Sequence, residues 1–187
     1  MKKLLVIALA AFASLTLSAQ TIGRVNFNEL VMLMPEMDAA REAIAASQKE
    51  AEETYSAMLE EYQSKANQYQ QKQATWTAAI RESKEKELYD IQTRIQEFQQ
   101  NISQELQQQQ SQLTAPIQEK ANKAVTEIAK AKGITVLFDV SQAIYFDESK
   151  VVDLTPEARK ALNIPADRTL ESLQAELQAQ AQAQQAQ

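Results

Sequence analysis

Only two glycines occur in the chain, Gly23 and Gly133, and the long interval between them is broken by just two prolines, Pro35 and Pro116. Glycine and proline are the residues that most strongly end or kink a helix. A domain of ordinary composition needs several of them to turn its chain over such a distance. Their scarcity predicts a mostly α, α+β chain in which a long antiparallel helical hairpin spans residues 35–132, with strand-like segments at both ends.

Pro35 is tolerated in a first helical turn, where its missing N–H would go unpaired anyway, and Glu36 and Asp38 follow where the helix dipole favours acids. From there Tyr55, Tyr62, Tyr69 and Trp76 recur at intervals of seven, with Ile44, Ala51 and Met58 as a second row. That 4-3 spacing is a coiled-coil seam. An ordinary helix–helix interface accounts for most of these residues, yet the row is aromatic and methionine-rich where a stable zipper would use leucine and isoleucine. A second seam runs through Leu88, Ile91, Ile95, Phe98 and Ile102, then shifts at Leu106 to Leu113, Ile117, Ala121, Ala124 and Ile128. Such a stutter locally unwinds a supercoil.

Between the seams, Thr75 to Ser83 lacks a consistent stripe and is expected to form the hairpin tip. Folding near residue 79 sets Tyr69 beside Leu88 and Ile91, Tyr62 beside Ile95 and Phe98, and Ile44 beside Leu113. Each arm then extends on the order of 60 Å or more at 1.5 Å per residue. Polar interruptions at Gln48, Lys65, Gln73 and Glu105 favour loose packing. Pro116 removes a hydrogen bond from the helix interior and predicts a static kink or, on the sharper reading, a hinge.

At the base of the hairpin, Ile22 to Phe27 alternates apolar and polar residues, the period of a half-buried strand. Asn28 stands where it would cap a short helical turn running through Met34. Gly133 stops the long helix, and Ile134 to Val140 is rich in β-branched and aromatic residues, the strongest strand signal in the chain. Ala143 to Phe146 predicts another strand, Val151-Val152 a short edge, and Thr155-Pro156-Glu157 the start of a helix reaching about Leu162. Residues 20–34 and 133–165 thus form a small β body, marginal alone and expected to oligomerise. Residues 166–187 form a Gln/Ala-rich tail: a weak helical segment with Leu170, Leu173 and Leu177 is expected to fade into Gln178 to Gln187, glutamine and alanine alone, disordered or a frayed helix.

Met1-Lys2-Lys3, the apolar run Leu4 to Leu17 and Ser18-Ala19-Gln20 are the three zones of a secretory signal peptide, residues 1–19. The run is shorter than the roughly 20 apolar residues of a membrane span, so the mature chain is expected to hold no integral membrane segment. Loss of Lys2 and Lys3 would leave it more acidic than the full sequence, which carries a net charge of −6, and nucleic acid is not an expected partner. With no cysteine and no histidine there are no disulfides, thiol nucleophiles or imidazole bases and ligands. No phosphate cradle or nucleophile turn is present either. Neither an enzyme, a cofactor nor a metal site is expected.

A signal peptide, a first segment reading Gly-Arg-Val-Asn-Phe-Asn-Glu-Leu from Gly23 to Leu30 and a long helical hairpin are followed by a closing segment. That segment reads Gly133-Ile134-Thr135-Val136-Leu137-Phe138-Asp139, then Ala143-Ile144-Tyr145 and Val152-Asp153-Leu154-Thr155. In that order and spacing these elements resemble the Skp (OmpH-like) periplasmic chaperone family, over nearly all of the mature chain up to about residue 164. The resemblance implies a homotrimer whose strands form the β body, with Val25, Phe27, Val136, Phe138, Ile144 and Phe146 in it. It also implies a periplasmic holdase that keeps unfolded outer-membrane β-barrel proteins from aggregating, without ATP, in a cavity between the arms. Tyr55, Met58, Tyr62, Tyr69, Trp76, Ile91 and Phe98 are then the candidates for arm packing and client contact, and Pro116 for the hinge. The competing reading is a structural coiled-coil spacer or stalk that binds no client.

Overall fold

The computed structural model describes residues 21–185, so the signal peptide expected over residues 1–19 lies outside the described residues. Strand β1, Ile22–Val25, buries Gly23 and Val25 and turns Ile22 and Arg24 outward, as its alternation requires. Phe27 does not extend that strand. It opens helix α1, Phe27–Leu33, which is capped by Asn26 and not by Asn28. Asn26 Oδ1 accepts from the Glu29 amide at 3.3 Å, and Asn26 Nδ2 donates to the Glu29 carboxylate at 2.8 Å. Asn28 has a valine three residues on and no such reciprocal partner.

Pro35 disfavours helical ψ at the residue before it, and Met34 is accordingly extended at ψ 137°. Helix α2, Pro35–Lys72, then runs 38 residues, and α3, Ala78–Ala131, runs 54 with Pro116 inside it. They are roughly 55 and 80 Å long. The tip is a 3₁₀ turn at Gln73–Thr75, an extended Trp76, and Thr77, whose hydroxyl accepts from the Ile80 amide at 3.3 Å. It therefore lies a few residues before the expected 75–83. Residues 78–83 lack a stripe because a hairpin end is bathed in solvent on most sides, while the helix through them is unbroken.

Helix α3 ends in a Schellman motif: the Gly133 amide donates to the Lys130 carbonyl and that of Ile134 to Ala129, with Gly133 at φ +65°. Strand β2, Val136–Asp139, follows and is shorter than expected. It lies parallel to β1 in the register Ile22↔Val136 to Val25↔Asp139. Parallel neighbours need a crossover, and here the whole hairpin is that crossover. Strand β3, Val152–Asp153, pairs parallel with the other edge of β1, giving the order β2-β1-β3.

Ala143 to Phe146 is not a strand. Both edges of β1 are taken, and a 3₁₀ turn at Val140–Gln142, fixed by Asp139 accepting from the Ser141 amide at 2.9 Å, leads the chain away from the outer edge of β2. Phe146 folds back edge-on against Phe138, ring centroids 5.3 Å apart, beneath the Arg24 guanidinium.

Helix α4, Thr155–Ala161, ends at Asn163 in the left-handed region, φ 56°, where asparagine is one of the few side chains that sit comfortably. Helix α5, Leu170–Gln185, starts at the expected weak helical segment and continues through most of the tail expected to be disordered or frayed. Alanine, glutamine, leucine and glutamate are good helix formers, Thr169 and Ser172 cap each other reciprocally, and Leu173 is only 3% exposed. Arg159 holds the carbonyls of Pro165 and Arg168, and Arg168 reaches Asp38 in the first turn of α2 at 2.6 Å. The core sits at this base, where Val25, Leu30, Leu33, Met34, Ile117, Ala121, Val125, Ala158, Leu162 and Leu173 meet. Ala124 and Ile128, expected in the seam, flank that core, while Val125 and Ala129 are the buried positions.

Candidate binding surface along the arm

Polar bridges join α2 and α3 from the root to the tip. Glu36 meets Lys120, Ser47 accepts from Gln109 at 2.8 Å, and Tyr55 accepts from Gln99 at 2.7 Å. Further out Glu61 meets Arg94 at 2.7 Å, Lys65 meets Glu87, and Tyr69 donates to Glu85. These pairs are symmetric about the Trp76–Thr77 turn. The earlier turn also moves the register: Tyr69 faces Glu85, not Leu88 and Ile91.

Tight burial along the arm is sparse. Helix α2 buries only Ala40, near the base, and α3 buries Ile91 and Ile95 toward the tip and nothing further until Ile117. Of the seven seam candidates, Ile91 is 2% exposed and is a packing residue. Tyr55, Met58, Tyr62, Tyr69, Trp76 and Phe98 are half-buried, each with one face on the arm and another open to solvent. Tyr69 and Trp76 touch edge-on at 5.9 Å across the end of the hairpin.

Heptad counting misses three residues that stand off the seam, Leu59, Ile80 and Tyr89. They are 41, 44 and 69% exposed. Large apolar side chains turned to water on an otherwise polar helix are the signal that marks them.

Between the Tyr55–Gln99 and Ser47–Gln109 bridges the helices leave a hollow of about 550 Å³. Its walls are Ser47, Glu50, Ala51 and Thr54 from α2, and Phe98, Ile102, Glu105, Leu106, Gln108, Gln109 and Gln112 from α3. Stutter and polar interruption coincide here, so neither helix supplies a large apolar residue opposite Phe98, Ile102 and Leu106.

Charge along the arm is locally paired near the tip. Lys65 and Lys84 both bond Glu87 and lower its pKa to about 2, while Glu87 pushes Lys65 up. Glu85 accepts the Tyr69 hydroxyl proton and raises the phenol's pKa. At the root, the bond from Lys120 lowers Glu36. At the sheet, Asp153 is lowered despite burial that opposes it, because the Thr155 hydroxyl and amide and Arg24 favour its charged form.

The base presents a second open apolar surface. Val136, on the outer strand β2, is 51% exposed, and in the segment after β2 Ile144 is 104% and Tyr145 85% exposed. Phe27, Phe138 and Phe146 are half-buried and Val25 buried. Pro116 is exposed and stands next to Ile117, where α3 leaves the core. Among the described residues there is no group of acids arranged to hold a metal and no helix long and apolar enough to cross a membrane.

No curated protein is similar enough in sequence to count as a relative. In structure, the chain is similar to a proposed outer membrane chaperone (OmpH-like) from Caulobacter crescentus CB15, with TM-score 0.68 at 13% identity over 81% of this chain and 92% of that one. At that identity the likeness is one of fold. A family model described as outer membrane protein (OmpH-like) matches residues 21–162, which include the sheet, the whole hairpin and α4. The chain belongs to the OmpH-like family.

Proposed function

We propose that this protein is an ATP-independent periplasmic holdase that assembles as a homotrimer and shelters unfolded outer-membrane β-barrel proteins between its arms. The observation that carries the reading is the arm itself: two helices of 38 and 54 residues that leave Tyr55, Met58, Tyr62, Tyr69, Trp76 and Phe98 half open and Leu59, Ile80 and Tyr89 exposed. Aromatic and methionine side chains offer adaptable apolar surface that fits many sequences. Each covers modest area, and at about 25 cal/mol per Å² such contacts are individually weak, so a client is retained collectively and released piecemeal. A spacer or stalk would instead bury its seam along its length, and the unburied stretch between Ile95 and Ile117 speaks against that.

The trimer is supported by the exposed Ile144 and Tyr145 and by the unpaired outer edge of β2, surface that a second and third copy would cover. Turbidity of a urea-unfolded outer-membrane β-barrel protein, diluted into buffer with and without the mature chain and with no nucleotide, tests the function. Suppression at a stoichiometric ratio is the expected result, and unchanged aggregation overturns it.

A further inference from the structure

The hollow in the middle of the arm combines two properties that narrow what fits it. Its apolar side is Ala51 from α2 and Phe98, Ile102 and Leu106 from α3, the last three one helical turn apart on one face and half-buried. Its charged wall residues are Glu50 and Glu105, and no lysine or arginine lines it. The surrounding helices extend that imbalance. Residues 42–64 of α2 carry six glutamates and one lysine, and residues 95–119 of α3 carry three glutamates and no base.

Local pairing relieves little of this charge. Lys49 reaches Glu53 at 3.8 Å and Arg94 reaches Glu61. Among the described residues, Glu42, Glu50, Glu52, Glu60, Glu97 and Glu105 form no ion pair. We propose that the hollow takes amphipathic segments of an unfolded chain that carry lysine or arginine beside their apolar side chains.

Charge complementarity selects this occupant. A purely apolar segment would fill the floor and leave the acidic rim uncompensated, and an acidic one would be repelled. A second arm of the same chain would bring the same excess of glutamate, and residues 170–187 carry two glutamates and no base. A volume of about 550 Å³ admits a few side chains, within the range of sites that grip small ligands. The inference deepens the holdase reading and rests on it, giving the arm a preference for basic amphipathic stretches of its clients.

Two fluorescent peptides with one leucine and phenylalanine pattern, one with lysine and the other with glutamate at every polar position, test it against the mature chain. The lysine peptide is expected to bind on the order of tenfold more tightly at low salt, a few exposed ion pairs acting together. High salt should erase the difference, since the Debye length is only about 3 Å at 1 M. E50Q/E105Q should weaken the lysine peptide several-fold, and equal affinities or an unaffected double variant overturns the proposal. Ile102→p-benzoylphenylalanine places the contact: a cross-link to the lysine peptide supports it, and a cross-link between copies of the chain in the presence of that peptide overturns it. Turbidity of the wild-type chain separates the two readings. A client kept soluble with no charge preference removes the selectivity alone, whereas lysine-peptide binding in the hollow with an aggregating client removes the holdase reading alone.

Discussion

Glu87 shows how single side chains hold the distal arm. It bonds Lys65 across the hairpin and Lys84 along its own helix, and its carboxyl falls from an ordinary 4.5 to about 2. A folded-state pKa below the unfolded one means the contribution is complete above 4.5 and is lost as pH falls toward 2. The carboxyl resonance of Glu87 should therefore titrate near 2 and move up toward 4.5 in Lys65→Ala; a midpoint that is the same in both proteins would remove the bridge. At the other end, Phe138→Asp puts a charge on β2 against the Phe146 ring and opposite Arg24 in the register. It should leave far-UV helicity intact while lowering the mass seen by light scattering to that of a single chain, and a stable trimer would displace the interface from this surface. Tyr89→Ser, at a position 69% exposed, should weaken client retention with no loss of thermal stability, and unaltered retention would take Tyr89 out of the gripping surface.

Legibility from sequence differed residue by residue for physical reasons. The Schellman stop at Gly133 and the proline start at Pro35 were readable because they depend on backbone geometry that few residues permit. The cap at Asn26 was displaced to Asn28 because two asparagines lie close together, and only the glutamate three residues on distinguishes them. Leu59, Ile80 and Tyr89 escaped because counting apolar residues by sevens finds those that face a partner helix, and these face away.

Among the elements, the hairpin was readable as a whole and its register was not. The tip is set by Thr77 capping α3, and a shift of a few residues there changes every facing pair along the arm. The strand expected over Ala143 to Phe146 failed for another reason: its composition suits a strand, but the 3₁₀ turn at Val140–Gln142 carries the chain away from the outer edge of β2 before it could pair there. Helix α5 lies beyond the residues matched by the family, yet it docks through Leu173, and Arg168 just before it clasps the root of α2 at Asp38. Leu173→Ala should cost about 2–4 kcal/mol, within the range for a buried leucine, and lower the denaturant midpoint. An unchanged midpoint would mean that α5 adds nothing to the core. At Pro116, Pro116→Ala should narrow the distribution of distances between spin labels at Ser83 on different arms, and an identical distribution rejects the hinge.

On the scale of the molecule, a small three-stranded sheet and a modest core support arms much longer than that core is wide. Parallel pairing of β1 with β2 makes the arm an insertion between neighbouring strands, so arm and base are coupled through the two ends of one hairpin. Such a base is a poor free-standing domain and a suitable subunit, and such arms are poor packing elements and a suitable cage. The measurement that tests this most directly is multi-angle light scattering of residues 20–187, alone and after dilution of a urea-unfolded outer-membrane β-barrel protein into the solution. The account predicts a trimer that becomes a soluble complex of defined mass, one trimer with its client; a trimer or smaller species that leaves the client to precipitate would contradict it and favour the structural spacer.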